Sequence, residues 1–376
     1  MKKIIVLGST GSIGENTLKV AVSMPEELSI VAISCARNLK RLRSQLKETG
    51  AGAACVGEEA PDIDAPANVR IYKGASGLLR LIEETDADIV VNGIAGAAGL
   101  LPSMAALGSG KDLALANKES LVMAGSFLLS EASRRGRAVL PVDSEHAALF
   151  SLLRRRSPEE VAELILTASG GAFRDLPLEA LDRVTVADAL AHPTWKMGRK
   201  ITVDSASMAN KGLEIIEACR FFGVSTDRIR VLMHPQSLVH SIIRTIDGTL
   251  HFEASTTDMR IPIQNALTFP RVRESAVEWL ELAGKNLDFS GLDSGRYPMV
   301  DLAYKAATLS PLHPIVYNAV NEVAVAAFMR GEIPFTGIPR AVERALDLPW
   351  GSPPTSVEGV LEIDTAARAK ARELMI

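Results

Sequence analysis

The sequence predicts an α/β protein with a parallel sheet at its N-terminal end and an α-helical bundle at its C-terminal end. Three observations predict it. Over residues 1–143, short β-branched runs alternate with amphipathic stretches, as in a parallel sheet covered by helices on both faces. The first run opens directly into a glycine-rich turn. Beyond a Gly- and Asp-punctuated stretch at 284–298, apolar residues recur at helical spacing over 299–309, 314–329, 338–346 and 357–374.

Each element has its own justification. Residues 3–8 are a β-branched strand that stops at glycine, and 13–22 carry a helical pattern. Residues 28–35 form a second apolar strand and 39–46 a second amphipathic helix. Further strands fit 53–56, 69–72, 88–92, 112–116 and 138–142. The uncharged window 89–110 imitates a membrane span. Asn92, Pro102 and its interior glycines make it a buried strand, a loop and a small-residue helix instead.

Composition excludes several classes. Hydrophobic residues are 47% and charged residues 23%, the balance of a globular chain rather than a disordered one. A net charge of −4 gives no basic field to attract nucleic acid or a membrane surface. The run Arg154-Arg155-Arg156 before Ser157-Pro158 reads as a helix end and turn. Cys35, Cys55 and Cys219 are far apart in sequence and form no zinc or disulfide pattern. The apolar run after Lys3 ends after four residues, too short for a signal segment, so a cytoplasmic location is expected.

The turn after the first strand is Gly8-Ser9-Thr10-Gly11-Ser12-Ile13-Gly14. Glycines there let the backbone bend sharply and approach a pyrophosphate resting on the next helix N-terminus. A tight strand–helix turn would explain the same glycines; set between a clean strand and a clean helix, they favour a Rossmann-like, dinucleotide-binding domain over residues 1–143. At the end of the second strand stands Ser34-Cys35-Ala36-Arg37-Asn38, where NAD sites usually carry an acid. A guanidinium pairs with a 2′-phosphate that a carboxylate would repel, so NADP is favoured; Arg37 as a mere exposed helix start is the plainer alternative.

The middle third concentrates polar residues. Asp143 and Glu145 stand two apart on an extended chain, on one side of it. They either converge on an ion or cap and complement the helix that follows. His146 reads as a structural hydrogen-bonder. Ser169-Gly170-Gly171 offers a hydroxyl and backbone N–H groups to an anion, or is an ordinary tight turn. His192-Pro193-Thr194-Trp195-Lys196-Met197-Gly198 places a tryptophan on a loop, as a lid over a ligand or as an apolar pin. Asn210 and Glu214 lie one helical turn apart with Lys211 beside them, either as a partly buried cluster or as a surface ion pair. Asn117-Lys118-Glu119 follows an apolar strand, at the end where ligands of such sheets bind, or simply starts a helix with an N-cap Asn.

Together these segments resemble the 1-deoxy-D-xylulose 5-phosphate reductoisomerase family of the non-mevalonate isoprenoid pathway. The resemblance is collinear: GSTGSIG at 8–14, GAAGL at 96–100, ANKESLV at 116–122, PVDSEH at 141–146, SGGAF at 169–173, HPTWKMGRKITVDSASMANKGLE at 192–214, HPQSLVH at 234–240 and NAVNEVAV at 318–325. It implies an NADPH-dependent oxidoreductase that rearranges a 2-keto sugar phosphate by retro-aldol cleavage and re-addition, then reduces the resulting aldehyde to 2-C-methyl-D-erythritol 4-phosphate.

The resemblance also implies roles. Asp143, Glu145 and Glu214 would bind one divalent cation, Mg²⁺, Mn²⁺ or Co²⁺, their all-oxygen donor set suiting a hard ion. Ser169, Ser205, Asn210 and Lys211 would hold the substrate phosphate, with His192 beside it. Ser144 and Lys118 would contact the ketose, Lys118 also neutralising oxyanion charge, and Trp195 and Met197 would cover it. NADPH would lie on Thr10, Gly11, Ser12, Ile13, Ala36, Arg37, Asn38, Asn117, Glu119 and Gly198. Ala36-Arg37-Asn38 departs from the Gly-Lys-Asn frequent in the family but keeps its positive charge. The implied architecture is an NADPH-binding domain at 1–143 and a central catalytic, metal-binding and dimerisation α/β domain at 144–285, with a flexible flap near 190–200. A connector at 286–298 and a C-terminal helical domain at 299–376 complete it. A homodimer without nucleic-acid or membrane partners is expected. The rival readings are another NADP-dependent dehydrogenase on the same fold, or a non-enzymatic NADP-sensing module; neither needs three acids together with a phosphate cradle.

Overall fold

The computed structural model of the chain describes residues 1–61, 65–191 and 198–375. By contact density the chain forms two compact units, one of residues 1–120, 128–147 and 258–279, the other of 121–127, 148–257 and 280–376.

In the first unit the chain runs β1 (Lys2–Leu7), α1 (Ser12–Ser23), β2 (Leu28–Ser34), α2 (Leu39–Thr49), β3 (Ala53–Val56) and β4 (Arg70–Lys73). It continues with α3 (Gly74–Glu84), β5 (Ile89–Asn92), α4 (Leu100–Gly108), β6 (Asp112–Leu115), α5 (Lys118–Arg135), β7 (Val139–Pro141) and the first turn of α6 (Ser144–Leu153). The seven strands form one sheet in the order β4-β3-β2-β1-β5-β6-β7, and every pairing is parallel. Ile4 to Leu7 and Ile89 to Val91 are fully buried, which is why these strands read as unbroken apolar runs. β4 departs from that pattern: only Tyr72 is buried, as suits an edge strand. Strand order reverses between β1 and β5, and in such sheets that reversal opens a crevice at the C-terminal strand ends. The window 89–110 is β5, a loop and α4, as its glycines and Pro102 indicated.

Helix α5 is kinked at Ala124, with φ −136° and ψ 28°, and its residues 121–127 pack in the second unit. That unit continues with β8 (Val161–Ala168), α7 (Val186–Ala189), α8 (Arg199–Ser207), α9 (Ala209–Phe222), β9 (Ile229–Met233), β10 (Val239–Thr245) and β11 (Leu250–Ala254). The chain then returns to the first unit for α10 (Arg260–Thr268), before β12 (Ser290–Gly291), α11 (Pro298–Leu309), α12 (His313–Met329), α13 (Gly337–Leu346) and α14 (Val357–Leu374). The second sheet, ordered β11-β10-β8-β9-β12, is mixed: β8 and β9 are parallel and the other pairings antiparallel.

The last four helices lie where their periodicity placed them, and they share one core with α8 and α9. Val203, Leu213 and Ile216 pack in the same cluster as Val316, Val320, Val342 and Ala367. Tyr317 is fully buried, and its hydroxyl donates to Met299 O at 3.1 Å. A Cβ at Gly212 would sit 2.2 Å from that hydroxyl, so α9 requires glycine to take the helix beside it. The contact-defined units are discontinuous in sequence. Segment 258–279 joins the first unit, and the stretch read as a connector supplies β12. Among the described residues no helix is long and apolar enough to cross a membrane.

Candidate active site

In the first unit the candidate residues sit on the loops and first helical turns that follow the C-terminal ends of β1, β2, β6 and β7. After β1, Gly8 takes φ +71°, and a Cβ on Gly14 would lie 2.3 Å from Ser9 Cα. Only glycine allows α1 to start this tightly against the strand. Gly11 precedes α1 and offers no side-chain cap, leaving the helix N-terminus to present backbone N–H groups. The loop is braced from α2. Ser9 Oγ donates to Gln45 Oε1 at 2.7 Å, Gln45 Nε2 donates to Ser9 O at 2.8 Å, and Arg41 grips Glu15 with bonds of 2.6 and 2.7 Å. Arg41 is thus committed to structure, whereas Ala36, Arg37 and Asn38 are exposed, with Asn38 capping α2 by accepting from Arg41 N.

After β6, Asn117 is the N-cap of α5, and its amide does more than cap. Nδ2 donates to Ile94 O at 2.7 Å, Gly96 O at 2.8 Å and Glu119 Oε2 at 3.1 Å, while Oδ1 accepts from Ser120 N. A Cβ at Gly99 would strike this side chain at 2.4 Å. Asn117 therefore ties the loop after β5 to the loop after β6.

The neighbouring strand ends bring Lys118 and Asp143 together as a buried ion pair, Nζ against Oδ2, with side chains 5% and 10% exposed. Asp143 Oδ1 accepts from Glu145 N and His146 N at 3.2 and 3.3 Å and faces His146 Nδ1 at 3.1 Å. Asp143 does cap α6, and His146 faces the same carboxylate oxygen through Nδ1. Burial alone would raise the Asp143 carboxyl; the Lys118 ammonium and His146 outweigh it and hold the group well below the usual range. Glu145 lies in the first turn of α6 and accepts from Ser144 Oγ.

In the second unit, β8 ends in Ser169-Gly170-Gly171, with both glycines at positive φ, +87° and +65°. Gly171 N donates to Ser169 Oγ at 3.2 Å. A Cβ on Gly171 would lie 2.4 Å from Ser205 O, so this turn and α8 are in close backbone approach. Met208, at φ 61°, makes the sharp join between α8 and α9. One turn into α9, Glu214 is 1% exposed; Asn210 Nδ2 donates to its Oε1 at 2.5 Å and Lys211 Nζ pairs with its Oε2. The cluster is buried, which removes the surface-pair alternative. Gly198 precedes α8, and its carbonyl accepts from Thr202. His192, Trp195 and Met197, and with them the lid reading, lie outside the described residues.

The first unit thus carries a buried Lys–Asp pair at the C-terminal ends of β6 and β7, and the second carries a glycine turn close to α8 and a buried Lys–Glu pair in α9. The full-length comparisons decide between the family and its rivals. The profile described as 1-deoxy-D-xylulose 5-phosphate reductoisomerase matches residues 4–125, and the two profiles of its C-terminal domains match 139–222 and 254–370. A reductoisomerase of that name from Geobacter metallireducens is 43% identical over 381 residues, covering 100% of this chain and 99% of its own. The chain belongs to the 1-deoxy-D-xylulose 5-phosphate reductoisomerase family. Its relative from Listeria monocytogenes is 40% identical over 383 residues, with both chains fully covered. Among solved structures, a DOX-P reductoisomerase in complex with NADPH, fosmidomycin and magnesium superposes with a TM-score of 0.93 at 34% identity. It covers 100% of this chain and 98% of that one. The Zymomonas mobilis reductoisomerase in complex with NADPH gives 0.92 at 37%, with the same coverage.

Several contacts carry no sequence signal. The Lys118–Asp143 pair joins residues 25 apart that meet only because β6 and β7 are adjacent. In α8, Asp204 is 1% exposed, held by Lys200 Nζ at 2.9 Å and by Asn321 Nδ2 of α12 at 2.9 Å. Asp204 and Asn321 lie inside the motifs at 192–214 and 318–325, yet nothing in their spacing pairs them.

Proposed function

We propose that this chain catalyses the NADPH- and divalent-metal-dependent rearrangement and reduction of 1-deoxy-D-xylulose 5-phosphate to 2-C-methyl-D-erythritol 4-phosphate. The observation that carries the reading is a pair of buried carboxylates, Asp143 and Glu214, each already facing a lysine ammonium, on a chain that matches the family from end to end.

Asp143, Glu145 and Glu214 would hold one divalent cation. The residues present fit such an ion: all donors are oxygen, and the two buried acids sit where positive charge is favoured. The crevice after β1 fits NADPH, with an uncapped helix N-terminus, a glycine that admits the backbone closely, and exposed Arg37 for a 2′-phosphate. When bound, the cation supplies Lewis acidity towards substrate oxygens and NADPH supplies the hydride.

The remaining work belongs to the chain. Lys118 places an ammonium beside developing oxyanion charge, and Ser144 contacts the ketose. Ser169, Ser205, Asn210 and Lys211, with His192, grip the phosphate, so binding energy far from the reacting bonds orients the sugar. Trp195 and Met197 close over it and exclude water. Thr10 to Ile13, Ala36, Arg37, Asn38, Glu119 and Gly198 contact NADPH. Asn117 contacts it as well, its amide braced on Ile94, Gly96 and Glu119.

Functionally we assign 1–143 to the cofactor and 144–285 to catalysis and homodimer formation, with 286–298 as connector and 299–376 as supporting helices. Exposed Leu250 and Phe252 on edge strand β11 support a self-association surface in the second region. A cytoplasmic location fits the low cysteine content. Purified protein should oxidise NADPH with 1-deoxy-D-xylulose 5-phosphate only when Mg²⁺, Mn²⁺ or Co²⁺ is added. Oxidation that persists in excess chelator removes the metal from the reaction, and none with any ion removes the substrate assignment.

A further inference from the structure

The turn Ser169-Gly170-Gly171 must hold two consecutive positive-φ residues, and a bare glycine pair has many other conformations open to it. Its carbonyls are pinned by side-chain donors from two places. Arg174 Nη1 donates to Ser169 O at 3.1 Å. Tyr297, 2% exposed and immediately before α11, donates its hydroxyl to Gly170 O at 2.9 Å. Arg296 Nη1 donates to Phe173 O at 2.9 Å and to Leu176 O at 2.5 Å. Phe173 then seats edge-on against Phe335, 4.9 Å between centroids, which anchors the end of the turn in the helical core.

The Gly170 carbonyl and the Gly171 N–H belong to one planar peptide unit and point in opposite directions. Fixing the carbonyl with Tyr297 therefore fixes the direction of the Gly171 N–H, which donates to Ser169 Oγ at 3.2 Å. A hydroxyl oxygen that accepts this bond directs its own hydrogen to some other acceptor. Burial pushes the Tyr297 phenol up to about 12, so it stays protonated, and a donor, at working pH.

We propose that Arg296 and Tyr297 are positioning residues that set the Ser169-Gly170-Gly171 turn in the conformation that donates to the substrate phosphate. This rests on the reading of Ser169 as a phosphate-binding residue. The clamp places a specificity determinant for the phosphorylated substrate in the stretch read from sequence as a connector.

The test uses the full-length enzyme with Mg²⁺, comparing Tyr297→Phe, Ser169→Ala and the double variant. Tyr297→Phe should raise KM for the ketose phosphate about tenfold, the upper worth of one hydrogen bond, while kcat changes less than about threefold. KM for NADPH should not move, because no part of the clamp belongs to the cofactor crevice. The double variant should be less impaired than the product of the single effects, since both remove one relay. If Ser169→Ala weakens substrate binding but Tyr297→Phe does not, the clamp is overturned and the phosphate reading stands. If Ser169→Ala has no effect, the phosphate reading falls and takes the clamp with it. Multiplicative effects, or equal losses towards both substrates, mark Tyr297 as general support and also overturn the proposal. Should Tyr297→Phe fail to fold, Arg296→Met, which removes the donor to Phe173 and Leu176, replaces it under the same criteria.

Discussion

Replacing Lys118 by Met removes the ammonium from Asp143 while keeping the aliphatic stem. With side chains 5% and 10% exposed, this is a buried pair, and deleting one member of such a pair costs about 3–5 kcal/mol. Asp143 keeps His146 Nδ1 and two backbone amides, so the lower end, about 3 kcal/mol, is expected here. With a urea slope of about 3 kcal/mol per molar, the unfolding midpoint should fall by about 1 M at pH 7.5. The pH dependence has a definite sign. In the wild-type protein the Asp143 carboxyl is depressed, so its stabilisation is full above an unfolded pKa of about 3.9 and is lost as pH falls through the lower folded value. In Lys118→Met, burial is no longer outweighed and the folded carboxyl rises above its unfolded value. Its ionised form then costs stability near neutrality, and this cost fades as the pH falls towards 4. The gap between the two proteins should therefore be widest at pH 7.5 and narrow towards pH 4. Millimolar Mg²⁺, which takes over the role of counter-charge, should raise the variant's midpoint more than the wild type's, while turnover is lost. An unchanged midpoint at pH 7.5, or a gap that does not narrow with acid, refutes the reasoning.

Three further outcomes follow from the same geometry. Glu214→Gln keeps the shape but removes the charge that Lys211 and the cation share; metal-dependent turnover should fall at least about a hundredfold, comparable to loss of about 2.7 kcal/mol of transition-state stabilisation, and normal turnover at saturating Mg²⁺ would exclude Glu214 as a ligand. Arg37→Glu should narrow the preference for NADPH over NADH by more than tenfold, about 1.5–3 kcal/mol for one charge-assisted bond, measured as the ratio of kcat/KM values. Gly14→Ala should weaken NADPH binding by tenfold or more, about 1.4 kcal/mol, because its Cβ would meet the Ser9 backbone; titration by fluorescence that finds wild-type affinity would show the loop adapts.

The parallel sheet was legible because its strands are buried on both faces and its helices on one, so both periodicities stand clear in residues 1–143. The four C-terminal helices were legible for the same reason. Their partnership with α8 and α9 was not, since Tyr317 against Gly212 is a contact between elements more than a hundred residues apart, with no local trace. Within the site, spacing alone left Asp143 between cap and ligand. The structure shows the cap on Oδ1 and a lysine on Oδ2, two demands that one carboxylate meets at once. Asn117 is similar: an N-cap by pattern, it also ties two loops together through Ile94 O and Gly96 O, which only the pairing of β5 with β6 brings about. Tyr297 and Arg296 gave no signal because their partners are backbone carbonyls, which every residue carries.

The measurement that bears most directly on the proposed activity is the carbon skeleton of the product. The purified enzyme, freed of metal and then supplied with Mg²⁺, is incubated with 1-deoxy-D-xylulose 5-phosphate and NADPH deuterated at the transferred position, and the product is read by NMR. A branched 2-C-methyl-D-erythritol 4-phosphate carrying one deuterium per NADPH oxidised, and no product before Mg²⁺ is added, is the predicted result. An unbranched deuterated pentitol phosphate would make the protein a plain ketose-phosphate dehydrogenase and contradict the account.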